Sequence, residues 1–408
     1  MWIYLKLAWR NLLRNKRRSL IAGTAIGLGL AALIFVDALI LGMEKNLVKS
    51  ATASFLGEGQ IHRQGFRETQ DAKLVINRLD EVTAGLEDEE IVQNFTARVM
   101  TFGMITSPAN VSAISLVGVY PPTEQHLSQI DDAITAGAFF ADAQERDIII
   151  GSKLAETLEL GLGDRVVVTV AQAHTDDLAQ EMFRISGIFH FNIQEMDRGM
   201  VFIRLAKAQQ MLALGDGVHE IAIHFTDLGY GRNESLDFWK RYSQFGNVAQ
   251  GWTKILPQLK AVFELSKFSI FITGLILFGV VALGIINTLF MSLHERMFEF
   301  GVLHAVGTRP FRIAQLIIFE AGALALVSIV LGIIMALIST YISTKTGIDY
   351  TGVEFVGVTF RELLYPVMHL SQYTFYPFWV FVFTTIVGVY PAVHAARISP
   401  ADAMRKSL

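Results

Sequence analysis

The amino-acid sequence predicts a polytopic α-helical membrane protein with four transmembrane helices and a large α+β domain outside the membrane, between the first and second helices. Three observations lead to this fold class. The 408 residues are 52% hydrophobic and only 18% charged, whereas a soluble domain carries about 25% charged residues. Four apolar runs are long enough to cross a bilayer core, which needs about 20 residues. Residues 44–266, between the first two runs, are mixed in character and long enough to form their own core.

The apolar runs cover residues 20–41, 268–293, 313–342 and 373–393. Glycine, alanine and serine are interleaved in them, as in helices that pack against one another in lipid. The predicted segments are an amphipathic N-terminal helix at 1–18, transmembrane helix 1 at 19–42, the external domain at 43–266, transmembrane helix 2 at 267–293, a short connecting helix at 294–310, transmembrane helix 3 at 311–342, a second external loop at 343–372, transmembrane helix 4 at 373–394 and a tail at 395–408.

Basic residues flank the runs unevenly, which predicts the orientation. The segment before the first run has six Lys or Arg residues and no acid, whereas residues 44–266 have 19 Lys/Arg and 30 Asp/Glu, a net charge of −11. The positive-inside rule therefore places both termini and the 294–310 segment in the cytoplasm, and the large domain outside. We expect the first run to be retained as a transmembrane helix, because no signal-peptidase pattern follows it at the usual distance.

Residues 2–17 have the pattern of an amphipathic helix. Such a helix lies in the headgroup layer, with tryptophan inward and basic groups on lipid phosphates. A plain positively charged flank is an equally good and compatible interpretation. The aromatic and basic residues expected at the membrane interface are Trp2, Lys6, Trp9, Arg10, Arg14, Arg17 and Arg18.

The external domain reads as mixed α+β. Its clearest stretch, residues 146–170, predicts a strand, a helix over 153–160 that glycines terminate, and a second strand. Further segments are predicted as strands at 182–189, 200–205 and 219–225, and as helices near 207–214 and 234–245. The chain has no cysteine, which excludes disulfides and cysteine-based metal sites.

Motifs for catalysis are missing from the sequence. No G-x-x-x-x-G-K-[ST] phosphate loop and no G-x-S-x-G nucleophile motif occurs. The stretch "HEIAIH" separates His219 and His224 by five positions, which on a helix or a strand directs them to different faces. We therefore expect a non-enzymatic chain that binds no metal and no cofactor itself.

Three polar residues lie inside the apolar runs: Asp37, Asn287 and Glu320. A charged group in the bilayer is costly and tends to face a partner or a polar cavity. For all three, hydrogen bonding between helices is favoured over a role in transport.

The segment "ERMFEFGVLHAVGTRP", residues 295–310, connects the second and third runs. It predicts a helix of about three turns with one apolar side and two acids on another side. A glycine is positioned to end this helix and a proline to begin the next one. Docking into a groove of another protein is favoured over a simple surface connector. The apolar side carries Phe298, Val302, Ala305 and Val306, and the other side carries the acids Glu295 and Glu299.

This segment, followed by "IAQLIIFEAGAL", resembles the signature of ABC transporter permeases of the MacB/LolC/LolE/FtsX type. "LAWRNLLRNKRRSLIAGTAIGLG", "TAGAFFADAQERDIIIGSKLAETLELGLGDRVVVTV" and "YPAVHAARISPADAMR" resemble the entry, the external domain and the end of the same family. His304 departs from the pattern, because a Lys or Arg is usual there. By this resemblance the residues expected to couple to an ATPase are Glu295, Arg296, Phe298, Glu299, Gly301, Val302, Leu303, Ala305 and Gly307. Glu320, in the following helix, also matches the family signature.

The resemblance implies a division of labour. Two copies of a separate cytoplasmic ATPase would bind ATP and Mg and receive the coupling helix at 294–310. A second permease chain, identical or related, would pair through the first two transmembrane helices. The movement would pass to a MacB-like core domain in the periplasm, a mechanism called mechanotransmission, in the bacterial inner membrane. The resemblance also implies contact with membrane lipids and allows a further partner in the periplasm, which is a carrier, an adaptor or a lipoprotein. No nucleic acid is expected as a partner.

A separate ATPase, four transmembrane helices and a large first external domain resemble the lipoprotein-releasing LolC/LolE permeases most closely. Release of lipoprotein or other lipidated cargo is therefore the favoured function. Two alternatives stay open: extrusion of a peptide, antibiotic or lipid with a periplasmic adaptor, and FtsX-like regulation of a cell-wall hydrolase.

Overall fold

The computed structural model of the chain describes residues 2–14, 16–140, 145–175, 177–191, 193–355, 358–359 and 363–398. These residues form two compact units. The membrane unit comprises Met1–Lys45, Phe263–Asp349 and the described residues from Leu363 onward. The external unit comprises Asn46–Val262 and the described part of Tyr350–Glu362. The second external loop thus divides between the units, although the sequence had suggested a segment of its own.

Helices account for nearly all of the membrane unit. In chain order the helices of both units are α1 (Trp2–Arg14), α2 (Lys16–Ala51), α3 (Phe66–Thr69), α4 (Leu79–Glu87), α5 (Pro121–Glu124), α6 (Ser152–Leu158), α7 (Gln194–Gly199), α8 (Leu205–Leu212), α9 (Leu228–Arg232), α10 (Asp237–Tyr242), α11 (Trp252–Ile255), α12 (Pro257–Glu295), α13 (Met297–Ala305), α14 (Pro310–Thr346) and α15 (Gln372–Ala396). Helices α3 to α11 lie in the external unit. Among the described residues, α2, α12, α14 and α15 are long and apolar enough to cross a membrane.

The external unit is built on strands. In chain order these are β1 (Gly59–Arg63), β2 (Val92–Thr106), β3 (Val111–Val119), β4 (Ile134–Gly137), β5 (Asp147–Gly151), β6 (Arg165–Ala171), β7 (Leu178–Phe189), β8 (Met200–Arg204), β9 (Glu220–Phe225) and β10 (Asn247–Gly251), with a hairpin of β11 (Glu354–Phe355) and β12 (Val358–Thr359).

The strands pair so that part of the sheet closes on itself. Strand β2 pairs with β3, and pairing then passes through β8, β5, β7 and β6 back to β2. The first half of β2 instead pairs with β9, which leads on to β1 and β10. The 15 residues of β2 therefore join a closed ring of strands to an open sheet. Closure removes exposed strand edges, which would otherwise pair with other chains.

A buried ion cluster lies where β2 changes partners. The guanidinium of Arg98, which is 0% exposed, donates to Glu124 Oε1 at 2.6 Å and to Glu220 Oε1 at 3.1 Å. It also stacks over the ring of Phe55, with 3.8 Å from its carbon to the ring centroid. Phe55 belongs to a single π-helical turn, Thr52–Leu56, that follows α2. The end of α2 is thus tied to the core of the external unit.

Close helix contacts in the membrane unit depend on glycine. A Cβ added at Gly27 of α2 would lie 2.9 Å from the carbonyl oxygen of Ser328, and one at Gly332 of α14 would lie 2.9 Å from the carbonyl oxygen of Gly27. Such pairs let two backbones approach directly, as is common in membrane helices. The position where α2 and α14 cross is therefore set by these two glycines.

The predicted elements of the external unit are largely found, with shifted ends. The strand–helix–strand at 146–170 is β5, α6 and β6, whereas the helix expected near 234–245 is the shorter α10. Sequence reasoning did not single out β1, β2, β3, β4 or β10. In β2 the reason is clear, because Thr96, Arg98 and Thr101 are buried, so that no polar and apolar alternation appears.

Acid is expected to destabilise the external unit through His62 on β1. Burial, and secondly the charge of Arg67, lowers the pKa of His62 to about 4. Its unfolded pKa is 6.5, so between these values the unfolded chain binds more protons and stability falls as the pH falls. From pH 6.5 to 5 the expected loss is about 1.6 kcal/mol.

The measurement is urea unfolding of the full-length protein at the two pH values, followed by tryptophan fluorescence. The variant His62→Phe should show a clearly smaller pH dependence than the wild type, with a remainder from the buried His219, whose pKa burial also lowers. The variant His126→Gln, at an exposed histidine, should keep the wild-type slope. A slope that His62→Phe leaves unchanged would contradict the assignment.

Candidate coupling site

The coupling helix is α13, the nine residues Met297–Ala305 between α12 and α14. It is shorter than the predicted 294–310, because α12 continues to Glu295 and Arg296 leaves helical geometry with φ −116° and ψ 16°. At the other end Gly307 has φ 93°, which glycine adopts without strain, and Pro310 is the first residue of α14. Local sequence thus fixes both ends of the helix.

One side of α13 is buried against other helices of the membrane unit. Phe300 is 1% exposed and Gly301 is also buried. Sequence reasoning placed Gly301 in the motif but did not identify Phe300 as the anchor. A buried phenylalanine is worth about 3–5 kcal/mol when truncated. Phe300 packs in a cluster drawn from four other helices, namely Ala8, Leu293, Ile313, Leu316, Ile317, Ala392 and Ala395.

The opposite side of α13 is open and mostly apolar. Phe298 is 52% exposed, and Val302 and Leu303 are each 41% exposed. Val306, just past the helix, is 82% exposed. Ala305 and Gly307 are exposed beside them. An apolar group of this kind on a short, fixed helix is the usual composition of an interaction surface.

A buried ion cluster attaches the start of α13 to α1 and α14. Arg296 and Glu320 are 6% and 7% exposed, and Arg296 Nη1 donates to Glu320 Oε1 at 2.5 Å. Asn11 Nδ2 of α1 donates to the same oxygen at 2.6 Å, and Arg296 Nε donates to Glu299 Oε2 at 3.0 Å. Glu320 is thus the point at which α1, α13 and α14 meet, in keeping with the expected hydrogen bonding between helices.

The acids of the coupling segment pair with basic residues near the N-terminus. Arg14 Nη1 lies 3.2 Å from Glu299 Oε1, and Arg18 Nη1 lies 3.2 Å from Glu295 Oε1. The N-terminal pattern predicts that Arg14 and Arg18 contact lipid phosphates. The structure gives them partners within the chain instead, because α1 packs beside the coupling segment.

These charges set the protonation of the site. Burial acts to lower the pKa of Arg296, but the charges of Glu320 and Glu299 outweigh it and raise that pKa. Burial acts to raise the pKa of Glu299, but Arg296, with help from Arg14, lowers it below its usual range. Both groups therefore stay ionised at neutral pH, and the ion pairs of Arg296 with Glu299 and Glu320 form a fixed clamp.

The remaining N-terminal residues only partly follow the amphipathic pattern. Trp9 is 48% exposed, and Lys6, Arg10 and Arg17 are exposed as well, which leaves them free for a membrane interface. The side chain of Trp2 lies outside the described part of the structure. Ala8, which is 0% exposed, packs in the cluster around Phe300, so α1 is docked on protein as well as amphipathic.

The other two intramembrane polar residues differ from each other. Asp37 Oδ2 of α2 accepts a hydrogen bond from Gln372 Nε2 at 2.9 Å, at the start of α15. This is the expected bond between helices. Asn287 of α12 is exposed and has no hydrogen bond to any other described residue of the chain, so the expected bond is not formed here.

One arrangement in the external unit superficially resembles a catalytic triad. Ser152 Oγ and Asp197 Oδ2 each lie 2.9 Å from His190 Nδ1. A working triad needs the serine and the acid on different ring nitrogens, so that the histidine can relay a proton. Because both groups here share Nδ1, the arrangement is structural. Among the described residues no group of three or more His, Asp or Glu could hold a metal ion.

Comparisons with known proteins cover almost the whole chain. Residues 19–228 match the family described as MacB-like periplasmic core domain, and residues 270–400 match FtsX-like permease C-terminal. The lipoprotein-releasing system transmembrane protein LolC of Xylella fastidiosa is 22% identical over 96% of each chain. The corresponding LolE of Haemophilus influenzae is 21% identical over 98% of each chain.

Among solved structures, the periplasmic region of MacB from Actinobacillus actinomycetemcomitans aligns with 50% of this chain and 92% of its own, at 10% identity and a TM-score of 0.35. The extracellular domain of the ABC-type transporter YknZ from Gram-positive bacteria aligns with 47% of this chain and 98% of its own, at 12% identity and a TM-score of 0.33.

Proposed function

The chain belongs to the family of permeases with a MacB-like periplasmic core domain and an FtsX-like C-terminal part, and from this premise we propose its function. It is the membrane subunit of an ABC transporter of the bacterial inner membrane. ATP and Mg are bound by a separate cytoplasmic ATPase, and ATP hydrolysis moves the external unit. The work is the extraction of lipidated protein from the membrane.

The geometry of α13 is the observation that carries this proposal. Its outer side presents Phe298 and Val302, while Arg296 and Phe300 hold its inner side to α1 and α14. A docked partner that pulls or rotates α13 therefore acts on the transmembrane helices directly. An exposed aromatic residue surrounded by smaller apolar ones is the typical hot spot of a protein interface.

Two features favour work at the outer face over conduction through the membrane. The acids Asp37 and Glu320 are both hydrogen-bonded within the chain, so neither is free to line a polar pathway. Helix α2 is unbroken from Lys16 to Ala51, so no loop between these residues would absorb a movement. These features support mechanotransmission. The uneven distribution of basic residues supports a cytoplasmic position for the termini and α13, and a periplasmic position for the MacB-like domain.

A second permease chain, identical or related, fits the surface of α12. The most apolar window of this helix is only 11% buried within the chain, against 44% for the window of α2. The exposed amide of Asn287 lies on α12 and would gain a partner there, because an unpaired polar group in lipid is unfavourable. Two permease chains would present two coupling helices to two ATPase copies.

The names of the relatives favour lipoprotein as the cargo. LolC and LolE proteins match this chain from end to end, although at only 22% and 21% identity. We therefore propose a lipoprotein-releasing role, with a periplasmic carrier as the acceptor of the cargo.

The test reconstitutes the full-length chain and its co-purifying ATPase in liposomes that carry a triacylated fluorescent protein. We expect ATP-dependent loss of this protein from the liposomes when an apolar acceptor is present outside. The matched control has the same fluorescent protein on a transmembrane helix, whose insertion is effectively irreversible, and it should stay. ATP-driven export of a soluble peptide or dye without release of the triacylated protein would favour the efflux alternative and refute this one.

A further inference from the structure

A large cavity opens on the external unit. Its volume is about 970 Å³, at the upper end of the roughly 300–1,000 Å³ typical of small-molecule sites. Its walls come from the π-helical turn after α2, from β2 and β3, from the segment around α7, and from the residues that begin α12. Two of these four walls are the segments that lead directly into transmembrane helices.

The walls are apolar and adaptable. Met100, Met196 and Met200 line the cavity together with Phe55 and Leu256. Methionine is unbranched and polarisable, so it adjusts to flexible apolar ligands. Among the described residues that line the cavity there is no lysine or arginine, and Glu195 is the one acid. Recognition of a phosphate headgroup needs cationic donors, and the described part of these walls offers none.

The cavity also continues into a packed apolar core. Phe55, Met196 and Phe202 belong to one buried cluster, and the rings of Phe55 and Phe202 are 5.6 Å apart. A ligand here would therefore contact side chains that are already ordered, which reduces the entropic cost of binding.

We propose that this cavity binds an acyl chain of the lipidated polypeptide once the chain has left the bilayer, an inference that rests on the proposed function. Each methylene removed from water contributes about 0.8 kcal/mol, so an acyl chain gains affinity along its whole length. The occupant is the acyl chain of the cargo, because the described residues of the lining include no cation for a phospholipid headgroup.

The position of Phe55 supplies a means of release. Its ring forms a wall of the cavity and also lies under the buried guanidinium of Arg98. It sits four residues beyond the end of α2. A shift of α2 would therefore move a cavity wall against a fixed ion cluster and change the shape of the site.

The experiment uses the full-length chain in nanodiscs of phosphatidylethanolamine and phosphatidylglycerol. The probe is a synthetic triacylated lipopeptide with a diazirine in its amide-linked palmitoyl chain. After irradiation, cross-linked peptides are identified by mass spectrometry. We expect labelling around Met100, Met196 and Met200, and unlabelled lipopeptide should compete with it.

Two matched variants on β3 test the location. Ala113→Trp puts an indole at the cavity wall from an exposed position and should lower labelling at least tenfold. Val111→Trp, two residues earlier at an exposed position outside the cavity, should label within twofold of the wild type. Ser115→Phe is a second filling variant, and all three are compared by thermal unfolding.

Several outcomes would overturn the cavity assignment. Equal labelling in Ala113→Trp and Val111→Trp would do so. So would equal labelling by diazirine-phosphatidylglycerol that the lipopeptide does not displace, because the site would then hold bilayer lipid. ATP-driven release by Ala113→Trp at the wild-type rate would reject the cavity and leave the proposed transport intact. A wild-type chain that labels at the cavity but releases no lipoprotein would contradict the transport alone.

Discussion

Replacing Phe298 by alanine is expected to weaken binding of the partner ATPase by about 30-fold or more. The side chain is 52% exposed in the first turn of α13, on the same open side as Val302 one turn later. Truncation of an aromatic hot-spot residue in an interface costs about 2 kcal/mol or more, and 1.4 kcal/mol corresponds to a factor of ten in affinity. Adding Val302→Ala should weaken binding further.

The measurement is binding of the purified ATPase to the permease in nanodiscs, by surface plasmon resonance, together with permease-stimulated ATP hydrolysis. Phe311→Ala is the matched control, because Phe311 is 69% exposed in the first turn of α14 but lies outside the coupling helix. It should change affinity less than threefold. If Phe298→Ala and Phe311→Ala bind alike, α13 is not the docking element and the coupling proposal fails.

Separating Arg296 from Glu320 is expected to loosen the coupling helix by about 3 kcal/mol. Removing one member of a buried ion pair leaves the other without compensation, at a cost of about 3–5 kcal/mol. Glu320→Leu alone and Arg296→Met alone should each have this effect. The double variant should recover most of the loss, because well-packed apolar residues often replace a buried pair at no cost.

The chain has no cysteine, so a single Met297→Cys substitution provides a local reporter on the partly buried side of α13. Opening of the helix exposes this thiol, and about 3 kcal/mol corresponds to roughly 100-fold faster labelling. The Arg78–Glu81 pair is an exposed comparison, since its side chains are 51% and 65% exposed. In its own double-mutant cycle, the interaction should add no more than about 1 kcal/mol to the free energy of unfolding. The free energy of opening follows from the labelling rate of each variant. If the changes in this free energy for the two single variants simply add in the double variant, Arg296 and Glu320 do not act as a pair.

The coupling segment shows how far motif reasoning reached. Its sequence pattern identified a helix near Glu299 with an open apolar side, and the structure places Phe298 and Val302 on that side. It did not identify Phe300 as the buried anchor. Phe298 and Phe300 are two positions apart, and the spacing of apolar residues in this short segment does not indicate which of the two rings is buried. It also could not assign Arg14 to Glu299, a pair 285 positions apart in the chain.

The sequence by itself determined the membrane-spanning runs, the mixed external domain between the first two of them, and the charged helix between the second and third. Each of these is a local signal, because apolar length, glycine and proline placement and charge distribution act over a few neighbouring residues. Only the tertiary structure decided the closed ring of strands around β2, the Arg296–Glu320 clamp and the cavity beside Phe55. These depend on contacts between segments distant in the chain, where packing and desolvation rather than local pattern select the partner.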